Sequence, residues 1–461
     1  MTNLKERGVM IQSLPKKIVT CLAIGSILIP ITNSGSTSVI SAEKAVVSLS
    51  NTYYSEVTAP ILKPVWSAQL AILKKDRITG QDITALAENG KIFALQRNEK
   101  LTAMNVATGK KLWEFGSGLA PLFTYSNGFI YGLTQSGSIY AVSEAGKKAW
   151  SASITLPKAT NIQRLGSTIY VTQEEQLAAV DAVTGKIKWK AVEKSNNFTG
   201  LSDLMETDGV VIRSYLSQGA LTTAGLAAYD SLTGKKLWDQ TRQWMPLAVK
   251  DGLLYSITNT FMMDDDPVNR KVKVSVFNIK TGELKGERLY KWTDTENKDG
   301  VYTYNGMNGN AFLDGKDFYI FQGSKFVKYD FWNYSAEGKP VQTWTSMVKE
   351  KDSPLNQVYQ QRMLFQNQDK GTLSALKLGT GQLVDLNIGE NSVVQTDLFG
   401  NVVYSGQSDG LFHAYDMLTL KPIFTVNTGS RNFAPSLKTG GMLMIRTDNK
   451  LLAIKLPAYI K

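Results

Sequence analysis

A short unit recurs along the chain and restricts its choice of fold more than any other feature. Four segments align on Gly and Trp: Asn105-Val-Ala-Thr-Gly-Lys-Lys-Leu-Trp113, Ser143-Glu-Ala-Gly-Lys-Lys-Ala-Trp150, Asp181-Ala-Val-Thr-Gly-Lys-Ile-Lys-Trp189 and Asp230-Ser-Leu-Thr-Gly-Lys-Lys-Leu-Trp238. Gly109, Gly146, Gly185 and Gly234 each stand four residues before Trp113, Trp150, Trp189 and Trp238. Decayed copies follow at Asn278-Ile-Lys-Thr-Gly282, at Ala336-Glu-Gly338 with Trp344, at Leu378-Gly-Thr-Gly381, and at Asp416-Met-Leu-Thr-Leu-Lys421 with Phe424. The spacing averages about 44 residues, which is the length of a four-stranded blade in a radially repeated β-structure.

Each part of the unit has a physical task. Alternating segments such as Leu177-Ala-Ala-Val-Asp181 and Leu226-Ala-Ala-Tyr-Asp230 precede the turn, and their small Ala suits a strand packed between neighbouring sheets. Asp or Asn followed by Thr-Gly makes a tight hairpin, because Gly accepts positive φ and the side-chain oxygen bonds nearby backbone N–H groups. The Trp then opens an outer strand, where its ring can cover the seam between blades. Upstream, Glu88-Asn-Gly, Ser126-Asn-Gly, Leu165-Gly and Lys250-Asp-Gly mark a second hairpin. Two hairpins per unit give four strands.

The A-x-D-x-x-T-G-K-x-x-W pattern preceded by D/N-G-x-x-Y resembles the pyrroloquinoline-quinone (PQQ) type β-propeller repeat, over roughly residues 60–457. That resemblance implies an all-β fold, a single β-propeller of four-stranded antiparallel blades. Nine candidate inner-strand cores lie near Met104, Tyr140, Ala179, Tyr229, Val276, Lys328, Ala375, Tyr415 and Ala453, whereas family precedent favours eight blades. At the ends, Asn449-Lys-Leu-Leu-Ala-Ile-Lys455 lacks an outer strand and Pro64-Val-Trp-Ser-Ala-Gln-Leu70 lacks a blade. Pairing them would close the ring and remove an open edge.

Residues 1–42 read as a secretory signal peptide: Lys16 and Lys17, the apolar run Ile18–Ile31, and a small-residue exit at Ala42. The run falls short of the roughly 20 residues needed to span a bilayer. Residues 43–59 are a linker and 60–461 the propeller. Cleavage after Ala42 removes four of the 51 basic residues, one of the 40 acidic residues and the only cysteine, Cys21, which leaves a net charge of +8. The expected location is outside the cell or in its envelope, as a monomer with no membrane span in the mature chain. The positive balance favours a protein or an anionic envelope or polysaccharide partner, and the scattered Lys and Arg give no nucleic-acid arm.

Composition excludes much chemistry. One Cys and one His, His413, cannot make a disulfide, a Cys/His zinc site or a c-type haem attachment. His413 falls on a strand core, where a structural role is the plainer one. The resemblance implies, for a working quinoprotein, an Asp base, a Ca²⁺ held by Asp, Glu or Asn, a Trp floor for the quinone and, in the alcohol dehydrogenases, a vicinal disulfide. The mature chain has no cysteine for the last, and no residue set can be assigned to the calcium. PQQ is therefore not expected. Asp264, Asp265 and Asp266 form a candidate Ca²⁺ loop, since calcium takes six to eight oxygen ligands, although a solvated acidic loop fits them as well. Trp292, Tyr302 and Tyr304 form a candidate interaction loop. The expected function is a non-catalytic binding scaffold, with a PQQ/Ca-dependent dehydrogenase or other metal-assisted enzyme, or an envelope-assembly propeller, as alternatives.

Overall fold

Alternating apolar residues and Gly-bearing turns fold this chain into short antiparallel strands, and the strands assort into nine separate four-stranded sheets among the described residues. The computed structural model describes residues 59–71, 83–193, 198–218, 222–259, 266, 268–294, 309–323, 325–345, 352–367, 369–386 and 391–460. The ring lies within one compact unit, Glu56–Lys461, and the expected signal peptide lies outside the described residues. The count of nine strand cores, rather than the precedent of eight, is the number of blades.

Blade 1 shows the plan, with strands Ala85–Glu88, Lys91–Leu95, Leu101–Asn105 and Lys111–Phe115 hydrogen-bonded in sequence order. Blades 2 to 8 span 119–153, 161–192, 198–241, 248–293, 311–345, 352–385 and 393–427. Blade 9 takes three strands from 433–455 and its fourth, Trp66–Gln69, from the other end of the chain. That closing strand pairs Trp66 with Ala453 and Gln69 with Lys450, the pairing expected from the two unpaired ends.

First strands of neighbouring blades meet across six of the nine seams, which places the first strands on the inner wall of the ring. The strand cores counted as inner from the sequence are third strands, one place in from the rim. They are buried on both faces, which made them look central. Their recurrent Ala has a steric cause: Ala103, Ala141, Ala179 and Ala228 each pair with the Trp of the adjoining fourth strand, Trp113, Trp150, Trp189 and Trp238.

Nine apolar clusters occupy the nine seams between neighbouring blades, including the seam of blade 9 with blade 1. The Trp of one blade covers the turn Gly of the next. A Cβ on Gly146 would lie 2.6 Å from the Trp113 ring, and one on Gly185 or Gly234 would lie 2.5 Å from Trp150 or Trp189. Trp66 covers Gly109 and Trp238 covers Gly282 in the same way. The indole N–H also donates to a turn carbonyl of the next blade, as from Trp113 to Glu144 at 3.0 Å and from Trp189 to Ser231 at 2.9 Å.

Blade 6 departs from the repeat. Its turn is not at Gly338, where the sequence spacing put it, but at Asp330-Phe-Trp-Asn-Tyr334, where Asp330 Oδ1 accepts the N–H groups of Trp332 and Asn333. Tyr334 thus holds the position of the turn Gly, and Gly286 of blade 5 holds that of the docking Trp. Arg288 takes over the contact, donating to the Phe331 carbonyl and lying 4.6 Å from the ring centres of both Tyr255 and Phe331.

Candidate binding face and inter-blade cleft

Strands in each blade alternate in direction, so the turns joining first to second and third to fourth strands lie at one end of the ring. This turn face carries the repeat: two-residue Asn-Gly or Asp-Gly hairpins and Thr-Gly turns. Connections between second and third strands, and between blades, lie at the opposite end. The longest breaks in the repeat belong to this connection face, namely 70–84, 258–268 and 294–310. On the turn face only the 331–341 segment of blade 6 is comparably long.

A cleft of about 430 Å³ opens between blades 7 and 8. Its walls include the first strands Asp352–Tyr359 and Val393–Phe399. Pro354 has no N–H for the ladder, and the pairing jumps from Pro354–Phe365 to Val358–Met363, leaving Leu355, Asn356 and Gln357 as a bulge. Asn356 takes φ 53° to allow it. Leu355 and Val394 are exposed at the cleft, and Gln357, Gln366 and Thr396 supply neutral polar groups. Both first strands are edges of their sheets, although Val393 N–H is already bonded to Lys370 O at 3.0 Å. This lining suits an uncharged, partly apolar segment of a larger partner.

Asp397 borders the cleft with its carboxylate committed elsewhere. Its Oδ2 accepts the Ser436 N–H of blade 9 at 2.8 Å and its Oδ1 accepts the Gln395 side-chain amide at 2.8 Å. Burial pushes its pKa up, against these hydrogen bonds and nearby Arg446. Arg446 Nε donates to Pro435 O at 2.6 Å within blade 9, and the Ser436–Asp397 bond ties blade 9 to blade 8.

The structure scatters the residues singled out in the sequence. Asp264 and Asp265 lie outside the described residues. Asp266, on the connection face, uses Oδ1 to accept the N–H groups of Val268 and Asn269 at 2.8 Å each, and these bonds hold its pKa low. No group of three or more His, Cys, Asp or Glu among the described residues is placed to hold a metal ion. Tyr302 and Tyr304 also lie outside the described residues. Trp292 is next to last in the fourth strand of blade 5 and packs on the core shared with blade 6, its buried indole N–H without an acceptor among the described residues. His413 bonds Thr425 Oγ1 through Nδ1 at 3.0 Å, and burial lowers its pKa. Gly109, Gly146, Gly185 and Gly234, with Trp113, Trp150, Trp189 and Trp238, are docking contacts between blades.

None of the nine Trp residues lies within the nine first strands, but Trp244 stands just ahead of the first strand of blade 5, half exposed, with its backbone N–H on Ile257 O at 3.0 Å. Sequence reasoning missed the cleft, and its one local signal was Pro354 inside a strand-like run.

A family model described as outer membrane protein assembly factor BamB matches residues 135–385. No curated protein matches the chain in sequence. Among solved structures, BamB from Moraxella catarrhalis is similar at 15% identity and a TM-score of 0.44, covering 73% of this chain and 94% of its own. A europium-containing methanol dehydrogenase is similar at 14% identity and a TM-score of 0.43, covering 83% of this chain and 84% of its own. Quinohemoprotein alcohol dehydrogenase from Comamonas testosteroni is 12% identical with a TM-score of 0.42, covering 86% and 77%. With over half its length matched to that family model and nine four-stranded blades among the described residues, the chain belongs to the BamB-like family of PQQ-type repeat β-propellers.

Proposed function

We propose that this protein is a non-catalytic binding scaffold of the cell envelope, exported by residues 1–42, that holds a protein partner on its connection face. The observation that carries this reading is that the two longest intervals between strands, 70–84 and 294–310, join strand ends on the connection face, as does 258–268, whereas the turn face is made almost wholly of tight turns. Binding residues concentrate in loops held by a rigid scaffold, and here the scaffold fixes nine sets of connections around one opening. The cleft between blades 7 and 8 adds a place for an extended segment of the partner. The name of the matching family model, an outer membrane assembly factor, supports a site of action in the envelope.

The test uses residues 43–461, which contain every strand of the closed ring, immobilised and exposed to solubilised envelope proteins. One protein should be retained by the parent and lost when 261–265 and 296–306 are replaced by Gly-Ser sequence of equal length, or when Leu355 and Val394 are changed to Asp, with thermal unfolding unchanged. Saturable uptake of PQQ with Ca²⁺, accompanied by alcohol oxidation, would overturn the reading.

A further inference from the structure

We infer that the rim of the turn face docks the ring on an anionic lipid surface. At the third position of the repeated turn stand Val183, Leu232 and Leu418, with 76%, 79% and 56% of their surface exposed. The fold does not ask for them. Ala107 and Lys280 hold the same position in blades 1 and 5, and their N–H groups bond the turn Asn at 3.1 and 3.0 Å, as Val183 N–H bonds Asp181 at 3.1 Å. Single exposed apolar side chains are ordinary on a protein surface, but these recur at one structural position on one face. Leu112, Leu237 and Leu284 are exposed at the start of fourth strands on the same rim, and Ile61, Val65 and Tyr459 are exposed where the ring closes.

A lysine stands three residues after each of Val183, Leu232 and Leu418, although Glu283 holds that position in blade 5. Lys110, Lys147, Lys186, Lys235 and Lys421 each occupy the position after the turn Gly or its replacement, and Lys63 lies at the closure. All six are exposed, and none makes an ion pair among the described residues. The turn aspartates beside them are committed to their own backbone, as Asp181 and Asp230 accept two N–H groups each. Exposed apolar tips with lysines around them are complementary to a bilayer interface: the tips enter the acyl boundary while the ammonium groups stay with anionic headgroups. A soluble anionic polymer would use the lysines and leave the apolar tips idle, so a lipid surface is the occupant that accounts for both. Docking there turns the connection face away from the membrane. The inference goes beyond the binding-scaffold reading and does not depend on it.

The test is co-sedimentation of residues 43–461, which omit the apolar run 18–31, with vesicles of phosphatidylcholine alone or mixed with phosphatidylglycerol. The parent should bind the mixed vesicles, bind the neutral ones at least about tenfold more weakly, and release at high salt. V183S/L232S/L418S and K110Q/K147Q/K186Q/K235Q should each weaken binding at least about tenfold with unfolding temperatures unchanged. Equal binding to both vesicles would overturn the proposal. So would full binding by the serine variant combined with complete competition by soluble poly(glycerol phosphate), which would make a polymer the ligand. Partner retention measured on the rim variants separates failure here from failure of the scaffold reading.

Discussion

Gly185 and Gly90 have nearly the same backbone and different surroundings. Their φ angles are 74° and 70°, but a Cβ on Gly185 would lie 2.5 Å from the Trp150 ring, whereas one on Gly90 would meet nothing within 4 Å. An Ala at position 90 therefore bears only the left-handed backbone cost, about 1–2 kcal/mol. At position 185 it also displaces Trp150 from its bond to Ala182 O, adding about 1–3 kcal/mol of overpacking. Urea unfolding should place G185A clearly below G90A in stability. Equal losses in the two variants would mean that the Trp–Gly contact is incidental to the docking of blades. Leu420, which holds the Gly position in blade 8 with φ 58°, shows that the left-handed turn survives without glycine where no Trp lies above it.

At the scale of the turn, the carboxylates make stability depend on pH. Hydrogen bonds from Thr184 and Val183 to Asp181, and from Thr233 and Leu232 to Asp230, hold both carboxyl groups below their ordinary range. A carboxylate whose pKa is depressed on folding contributes stability above its unfolded pKa of about 3.9 and loses it as pH falls through the folded value. Asn105 and Asn278 accept the same pair of backbone N–H groups without titrating. D181N/D230N should therefore match the parent in melting temperature near neutral pH and lose less between about pH 5 and pH 3. An identical acid drop in parent and variant would remove the turns from the acid response. These turns could be read from the sequence because all their determinants are local: an Asx side chain, a Thr and a Gly within five residues. The turn of blade 6 could not, because Asp330 keeps the hydrogen bonds while Tyr334 and Arg288 replace the usual docking pair across 46 residues of sequence. Gly338 offered a misleading local substitute. The cleft was hidden for a related reason, since it depends on how two first strands diverge around the Pro354 bulge. No spacing within either strand records that.

In the whole molecule, blade number and stability meet at the closure. Eight seams are crossed by continuous chain, while blade 9 reaches blade 1 through a strand from the far terminus. That strand does more than pair with Lys450–Lys455: Trp66 donates to Val106 O at 2.9 Å and covers Gly109, so the closing seam repeats the contact of an ordinary one. The chain just before it also crosses to blade 8, where Leu62 N–H donates to Thr425 O at 2.8 Å and Thr425 N–H donates to Pro60 O at 3.0 Å. One terminal segment thus ties three blades together. If the ring unfolds as one cooperative body, the closing seam must bear the same load as an internal one. W66A and W150A should then lower stability alike, by about 3 kcal/mol each, since both strip a half-buried indole and its hydrogen bond from a seam. Denaturant unfolding followed by fluorescence and by circular dichroism checks this. A ring that is closed only loosely would tolerate W66A at almost no cost and show early hydrogen exchange at Leu451–Ile454. In that case the terminal strand would be a cover on an open ring, and the nine seams would not share one transition.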